Sequence, residues 1–196
     1  MSHTFIFFGR SGSGKGTQAK LLKEYLEKAD HHRRVLYIET GDRIREFMYQ
    51  TGYTSSLVKG IIDHGGLLPE FLPIWIWTDY LIRNYTGKEH LILDGLSRRV
   101  SEAPVLDSAL KFYKCEKLYV VLLDVSREWS KERLMARKRK DDTARDIEAR
   151  LDWYDTNVVS TMDFFKKNPS YKFLTINGEQ SIEEVQKEIV SKIFVT

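Results

Sequence analysis

An α/β fold built on a parallel sheet with helices on both faces is what this sequence predicts, and three observations predict it. Five short runs rich in β-branched and aromatic residues, at 4–8, 35–39, 90–94, 117–124 and 171–177, read as strands. Segments with helical spacing lie between them, and strands that alternate with helices form parallel sheets covered on both sides. A glycine-rich loop joins the first strand directly to the first helix. No repeat, low-complexity tract or Pro/Gly-rich linker divides the 196 residues, so residues 1–196 form one domain with a sizeable core.

Taken in order, the strand at 4–8 has no basic flank and no small-residue cleavage site, and it runs straight into glycines, which sets it apart from a signal peptide. A helix at 18–29 follows the loop, then the strand at 35–39. About fifty residues then intervene before the third strand, far more than one crossover helix requires, so residues 40–88 hold several helices of their own. Beyond the third strand, helical spacing recurs at 104–113, 127–137 and 145–167. Ser181 with Glu184 spells a capping box before a final helix, and Thr143 with Asp146 spells a second one before the long helix.

Composition restricts the function classes. The chain is 42% hydrophobic and 30% charged, as in ordinary globular proteins, and its net charge of +3 is too even a balance to demand nucleic acid as partner. Lone Cys115 excludes an internal disulfide and a four-cysteine zinc site. No apolar stretch approaches the roughly 20 residues that span a bilayer. The expected setting is the cytoplasm, with no membrane and no nucleic acid involved, and the expected state is a monomer.

The chemistry starts in Gly9-Arg10-Ser11-Gly12-Ser13-Gly14-Lys15-Gly16-Thr17. Glycines let successive backbone N–H groups curl around phosphate oxygens, the helix N-terminus adds partial positive charge, and Lys15 adds a full one. Gly16 follows the lysine where a hydroxyl would usually bind magnesium, and Thr17 comes one residue later. Further on stand Thr40-Gly41-Asp42-Arg43-Ile44-Arg45 after the second strand and Leu93-Asp94-Gly95-Leu96-Ser97-Arg98 after the third. Arg133, Arg137, Arg139-Lys140-Asp141-Asp142 and Arg150 form a basic cluster, and Asn177-Gly178-Glu179 follows the last strand. Each has a plainer reading alone: Thr40 as a helix cap, Asp94-Gly95 as a turn, the arginines as a solvated face, Asn177-Gly178 as a turn.

Together, in this order, the segments resemble the adenylate kinase family across nearly the whole chain: GKGTQ at the loop, TGDRIR for TGDxLR, LDGLSR for LDGFPR, and the arginines of its lid. The resemblance implies a P-loop kinase with strand order 2-3-1-4-5, a nucleoside monophosphate (NMP)-binding subdomain at residues 40–88 and a short lid at 137–142. It implies ATP and Mg²⁺ as the nucleotide and metal, and phosphoryl transfer from ATP to a nucleoside monophosphate. Gly12, Ser13, Gly14, Lys15, Gly16, Thr17, Arg133 and Gly178 would hold the donor. Thr40, Arg45, Leu67, Gly95, Arg98 and Glu102 would hold the acceptor, Asp94 the magnesium through water, and Lys15, Arg98, Arg137, Arg139 and Arg150 would neutralise the transferring group.

Two departures stand out. Leu96 and Ser97 replace Phe and Pro, and Glu102 stands where the family's base-reading glutamine falls. Glu102 either reads the acceptor base or favours a helix N-terminus and faces solvent. Trp75, Trp77, Phe71 and Tyr80 occupy positions with smaller residues in the family, and core packing is their default meaning. Two rival functions keep the loop: another P-loop phosphotransferase or NTPase, with no joint use for Arg45 and Arg98, and a non-catalytic nucleotide-binding switch.

Overall fold

A computed structural model describes residues 1–64, 66–137 and 143–194. Five parallel strands, β1 (His3–Gly9), β2 (Val35–Glu39), β3 (His90–Asp94), β4 (Lys117–Asp124) and β5 (Tyr171–Asn177), form one sheet in the order β2-β3-β1-β4-β5. The central strands are buried almost from end to end, as a sheet with two covered faces requires.

Alternate residues supply two cores. On one face Phe5, Phe7, Ile92 and Val121 pack against α1 (Lys15–Ala29) through Leu22 and against α9 (Ile182–Phe194) through Ile189. On the other, Ile6, Phe8 and Leu93 meet α4 (Phe71–Asn84), α5 (Glu102–Phe112) and α8 (Val159–Lys166) through Trp77, Leu106 and Phe165. The insertion after β2 contains α2 (Thr40–Met48), α3 (Tyr53–Asp63) and α4. Met48, Val58, Leu68 and Leu72 make a separate small core there.

Several sequence expectations need correction. The helix at 18–29 begins three residues earlier, at Lys15, because the glycine-rich loop turns straight into it. The helix expected at 104–113 runs from Glu102 to Phe112. The long helix at 145–167 divides into α7 (Ala144–Trp153), a π-helical turn at Tyr154–Val158, and α8. Core packing holds for Trp77, which is 1% exposed; Phe71 and Trp75 lie on the outer side of α4 and are exposed, and Tyr80 lies beneath the Arg43 guanidinium. The box at Ser181 forms, with Glu184 N donating to Ser181 Oγ at 3.2 Å and Ser181 N to Glu184 Oε2 at 3.0 Å, while at Thr143 the cap is one-sided, Asp146 N donating to Thr143 Oγ1 at 3.2 Å. Arg139 and nearly all of the expected lid at 137–142 lie outside the described residues. No helix among the described residues is long and apolar enough to cross a membrane.

Candidate active site at the carboxyl ends of the strands

Parallel strands bring their carboxyl ends, and the loops that follow, to one edge of the sheet, where ligands bind in open α/β folds. The loop after β1 wraps the start of α1. At Gly12 the backbone has φ +87°, and a side chain there would meet the Ser130 carbonyl at 2.7 Å. Only glycine lets α6 (Arg127–Arg137) press this closely on the loop. Gly178 does the same from the far side, since a Cβ there would lie 2.5 Å from Val125 Cγ1. Between these contacts Arg10, Asp124, Val125, Ser126, Asn177 and Glu179 line a cleft of about 440 Å³. Its rim is tied by Ser126 N donating to Glu179 Oε1 at 2.5 Å and Arg10 Nη1 to Val125 O at 2.7 Å.

Lys15 Nζ donates to Gly9 O at 2.7 Å and Arg10 O at 2.8 Å. Burial pushes its pKa down to about 8, partly opposed by the Asp94 carboxylate, while the positive charges of Arg98 and Arg137 push it further down. Asp94 is 5% exposed at the end of β3, and its Oδ2 lies 3.7 Å from where a Cβ on Gly16 would stand. Burial raises the Asp94 pKa; Lys15, Tyr37 and Arg98 oppose that. Arg98 keeps solvent contact but is crowded by protein, so desolvation lowers its pKa, Glu102 and Asp94 oppose the drop, and Arg150 adds to it. Those mutual influences place Lys15, Asp94, Arg98, Arg137 and Arg150 in one electrostatic neighbourhood. Arg150, on α7, also donates from Nε to Asp146 O at 3.2 Å.

On the side of β2, Thr40 is buried and its hydroxyl has no hydrogen-bond partner among the described residues. Arg45 pairs with Asp42, and with Glu39 at 3.4 Å. Glu102 is 3% exposed, which excludes the solvent-facing alternative, although it does open α5. Its Oε2 accepts the Arg98 backbone N–H at 2.8 Å. Burial raises its pKa, against the pull of that hydrogen bond and of Arg99. Leu67 is half-exposed just ahead of α4, Gly95 takes a positive φ of 76°, and Arg133 stacks on Trp129 at 5.0 Å on the outer side of α6.

Sequence reasoning missed Tyr37 and Glu39. In the parallel register Glu39 lies opposite Asp94, and Tyr37 Oη donates to Glu39 Oε2 at 3.0 Å with Asp94 Oδ2 at 3.3 Å. Burial, and then the crowding carboxylates of Asp42 and Asp94, raise the Glu39 pKa. The alternation of β2 puts residues 35, 37 and 39 on one face, a legible signal, but only the register reveals what they face.

A family model described as Adenylate kinase matches residues 7–170. Adenylate kinase 1 of Nostoc sp. is 34% identical over 184 residues, covering 94% of this chain and 95% of that protein. An adenylate kinase of Leptospira biflexa serovar Patoc is 34% identical over 192 residues, covering 96% and 98%. One from Prochlorococcus marinus is 30% identical over 193 residues, covering 98% and 100%. With the strand order, the glycine loop and the convergent charges already in place, these similarities are decisive: the chain belongs to the adenylate kinase family, the ATP-dependent nucleoside monophosphate kinases.

Proposed function

We propose that the chain transfers the γ-phosphoryl group of magnesium-bound ATP to AMP, and that Glu102 extends acceptance to guanine-type bases. The observation that carries this reading is the glycine loop with Lys15 Nζ on its carbonyls and buried Asp94 beside Gly16, with Arg98 and Arg137 acting on Lys15 and Arg150 acting on Arg98. An acceptor phosphate oxygen forms the new bond to the γ-phosphorus as the bond to the β,γ-bridging oxygen breaks, and the electron pair leaves with the diphosphate. The attacking oxygen is already ionised, so no strong general base is needed. The protein's work is positioning and neutralising charge on the transferring oxygens.

The donor set fits magnesium. Asp94 offers a hard oxygen beside Gly16 at the start of α1. That suits an ion held mainly by phosphates and water. Magnesium would supply neutralisation of the β- and γ-phosphate charge, with Asp94 holding its water shell. The unpartnered Thr40 hydroxyl and Arg45 suit the acceptor nucleotide and its phosphate. In the same reading the protein works as a monomer in the cytoplasm.

At Glu102 one oxygen already accepts from Arg98 N–H, yet a carboxylate has about four lone-pair sites, so capacity remains. When ionised it only accepts hydrogen bonds. It therefore suits the N1–H and N2–H edge of guanine and repels the N1 lone pair of adenine. The test measures nucleoside diphosphate formed from ATP and each of AMP, GMP, CMP, UMP and their deoxy forms. Hydrolysis of ATP to free phosphate with no diphosphate formed on any monophosphate would overturn the reading.

A further inference from the structure

Arg99 lies beside the exposed Arg98 and is far more enclosed, its side chain 16% exposed. Its guanidinium reaches four partners on three parts of the molecule. Nη2 donates to Leu68 O at 2.9 Å, and Nε lies 3.8 Å from Glu70 Oε1, both in the segment leading into α4. Nη1 lies 3.6 Å from Glu102 Oε1 at the start of α5. The Trp153 ring, at the end of the helix that carries Arg150, lies under the guanidinium with its centroid 5.0 Å away.

Each contact bears on the acceptor side of the site. Leu68 is buried in the small core of the insertion, and its neighbour Leu67 is half-exposed beside the expected acceptor position. Glu102 is joined to Arg99 by one oxygen and to the Arg98 backbone by the other, so a single carboxylate gathers both arginines. The turn that presents them is bent at Ser97, whose φ of 55° is unusual for a residue with a side chain. The planar fork of Arg99, with five donors, spans Glu102 and the Leu68 carbonyl. A lysine, with one compact charge, cannot meet a carbonyl, two carboxylates and a ring face together.

We propose that Arg99 is a positioning residue for the acceptor nucleotide: its guanidinium joins the Leu68 carbonyl, the Glu102 carboxylate and the Trp153 ring, and so fixes the wall against which the monophosphate is held. Arg99 itself touches no reacting atom in this scheme. The inference rests on the acceptor lying between Leu67 and Glu102, as in the proposed function, but not on which base Glu102 prefers.

Dissociation constants for AMP and GMP by calorimetry, and steady-state constants for both substrates, test it in Arg99→Ala and Arg99→Lys. The expected result for Arg99→Ala is a rise of about tenfold or more in acceptor Kd and KM, with kcat and the ATP KM within about threefold of wild type. Arg99→Lys retains charge without the fork and should fall between, with acceptor Kd up by about threefold or more. Should Arg99→Ala fail to fold, Arg99→Lys alone decides. Acceptor Kd unchanged in the folded variants, or ATP and acceptor constants worsening in equal measure, would reduce Arg99 to general scaffolding and overturn the inference. Wild-type protein that binds no monophosphate would overturn both this and the proposed function, whereas an unchanged base preference in Glu102→Gln would leave Arg99 standing.

Discussion

Lys15 directs its ammonium at two carbonyls of its own loop. Anionic phosphate oxygens are stronger acceptors than neutral carbonyls, so a nucleotide can draw the ammonium across without moving the loop. Lys15→Ala should therefore remove turnover and spare the fold, and Arg98→Ala should act alike, since a comparable arginine can be worth ~10³ to 10⁵ in rate. Either variant, folded by circular dichroism yet keeping more than about a tenth of wild-type turnover, would lose its assigned role. Glu102→Gln should shift kcat/KM from GMP toward AMP by roughly five- to 150-fold, the value of about 1–3 kcal/mol for one mismatched buried group. The sign of a pH effect follows. Burial raises the Glu102 pKa above its ordinary 4.5, so acid conditions above that value already favour the protonated acid. A protonated carboxyl offers both a donor and an acceptor, as the glutamine amide does, so the AMP-to-GMP ratio should climb as pH falls in wild type and stay level in Glu102→Gln. Both acceptors carry the same 5′-phosphate, so its own titration cancels in the ratio. Lys15, Asp94 and Arg98 were legible because their spacing from a strand end is local. Tyr37, Glu39 and Arg99 were not, because strand register and the fold of a distant segment decide what they meet.

At the scale of elements, the bounds of four strands, β2 to β5, could be read from sequence, since β-branched runs end sharply at turn residues. The break in the long helix could not. A π turn changes the hydrogen-bond step from i+4 to i+5 and leaves the apolar stripe nearly continuous, so periodicity reads straight through Tyr154–Val158. That turn carries Asp155, which accepts from Arg10 Nη2 at 2.7 Å and from Arg127 Nη1 at 3.1 Å, linking the glycine loop to α6 and α7. The loop's own seating is tested by Gly12→Ala, which adds a Cβ 2.7 Å from Ser130 O at a φ of +87°. It should cost more than ~1 kcal/mol and lower Tm by about 2–4 °C or more in a chain of this length. Gly178→Ala, pressing on Val125 at the cleft, should raise the ATP KM and leave the acceptor KM near wild type. Equal effects on both substrates would show that Gly178 serves the fold rather than the donor cleft.

At the scale of the molecule, the insertion after β2 is packed in two places. Trp77 and Leu81 root α4 in the main core, while Met48, Val58, Leu68 and Leu72 close a separate small core over α2 and α3. α4 is thus tied to the sheet, and Arg99 joins the segment ahead of it through Leu68 O. The drive is electrostatic. Arg98 and Arg137 depress Lys15, and Arg150 depresses Arg98, so like charges are held close at the mouth of the loop. Phosphates placed among them relieve that repulsion, and an acceptor held by Thr40 and Arg45 is expected to draw the insertion toward the loop. Closing also excludes water, which otherwise competes as the phosphoryl acceptor. A bisubstrate dinucleotide that fills both sites should therefore shrink the radius of gyration from the roughly 16 Å expected of a compact chain of this length. ATP alone should produce less of the change, because it leaves Arg45 without a phosphate. Small-angle scattering at saturating dinucleotide reads this directly. A radius that stays the same with both sites filled would sink closure, and a change as large with ATP alone would show that the acceptor side does not drive it.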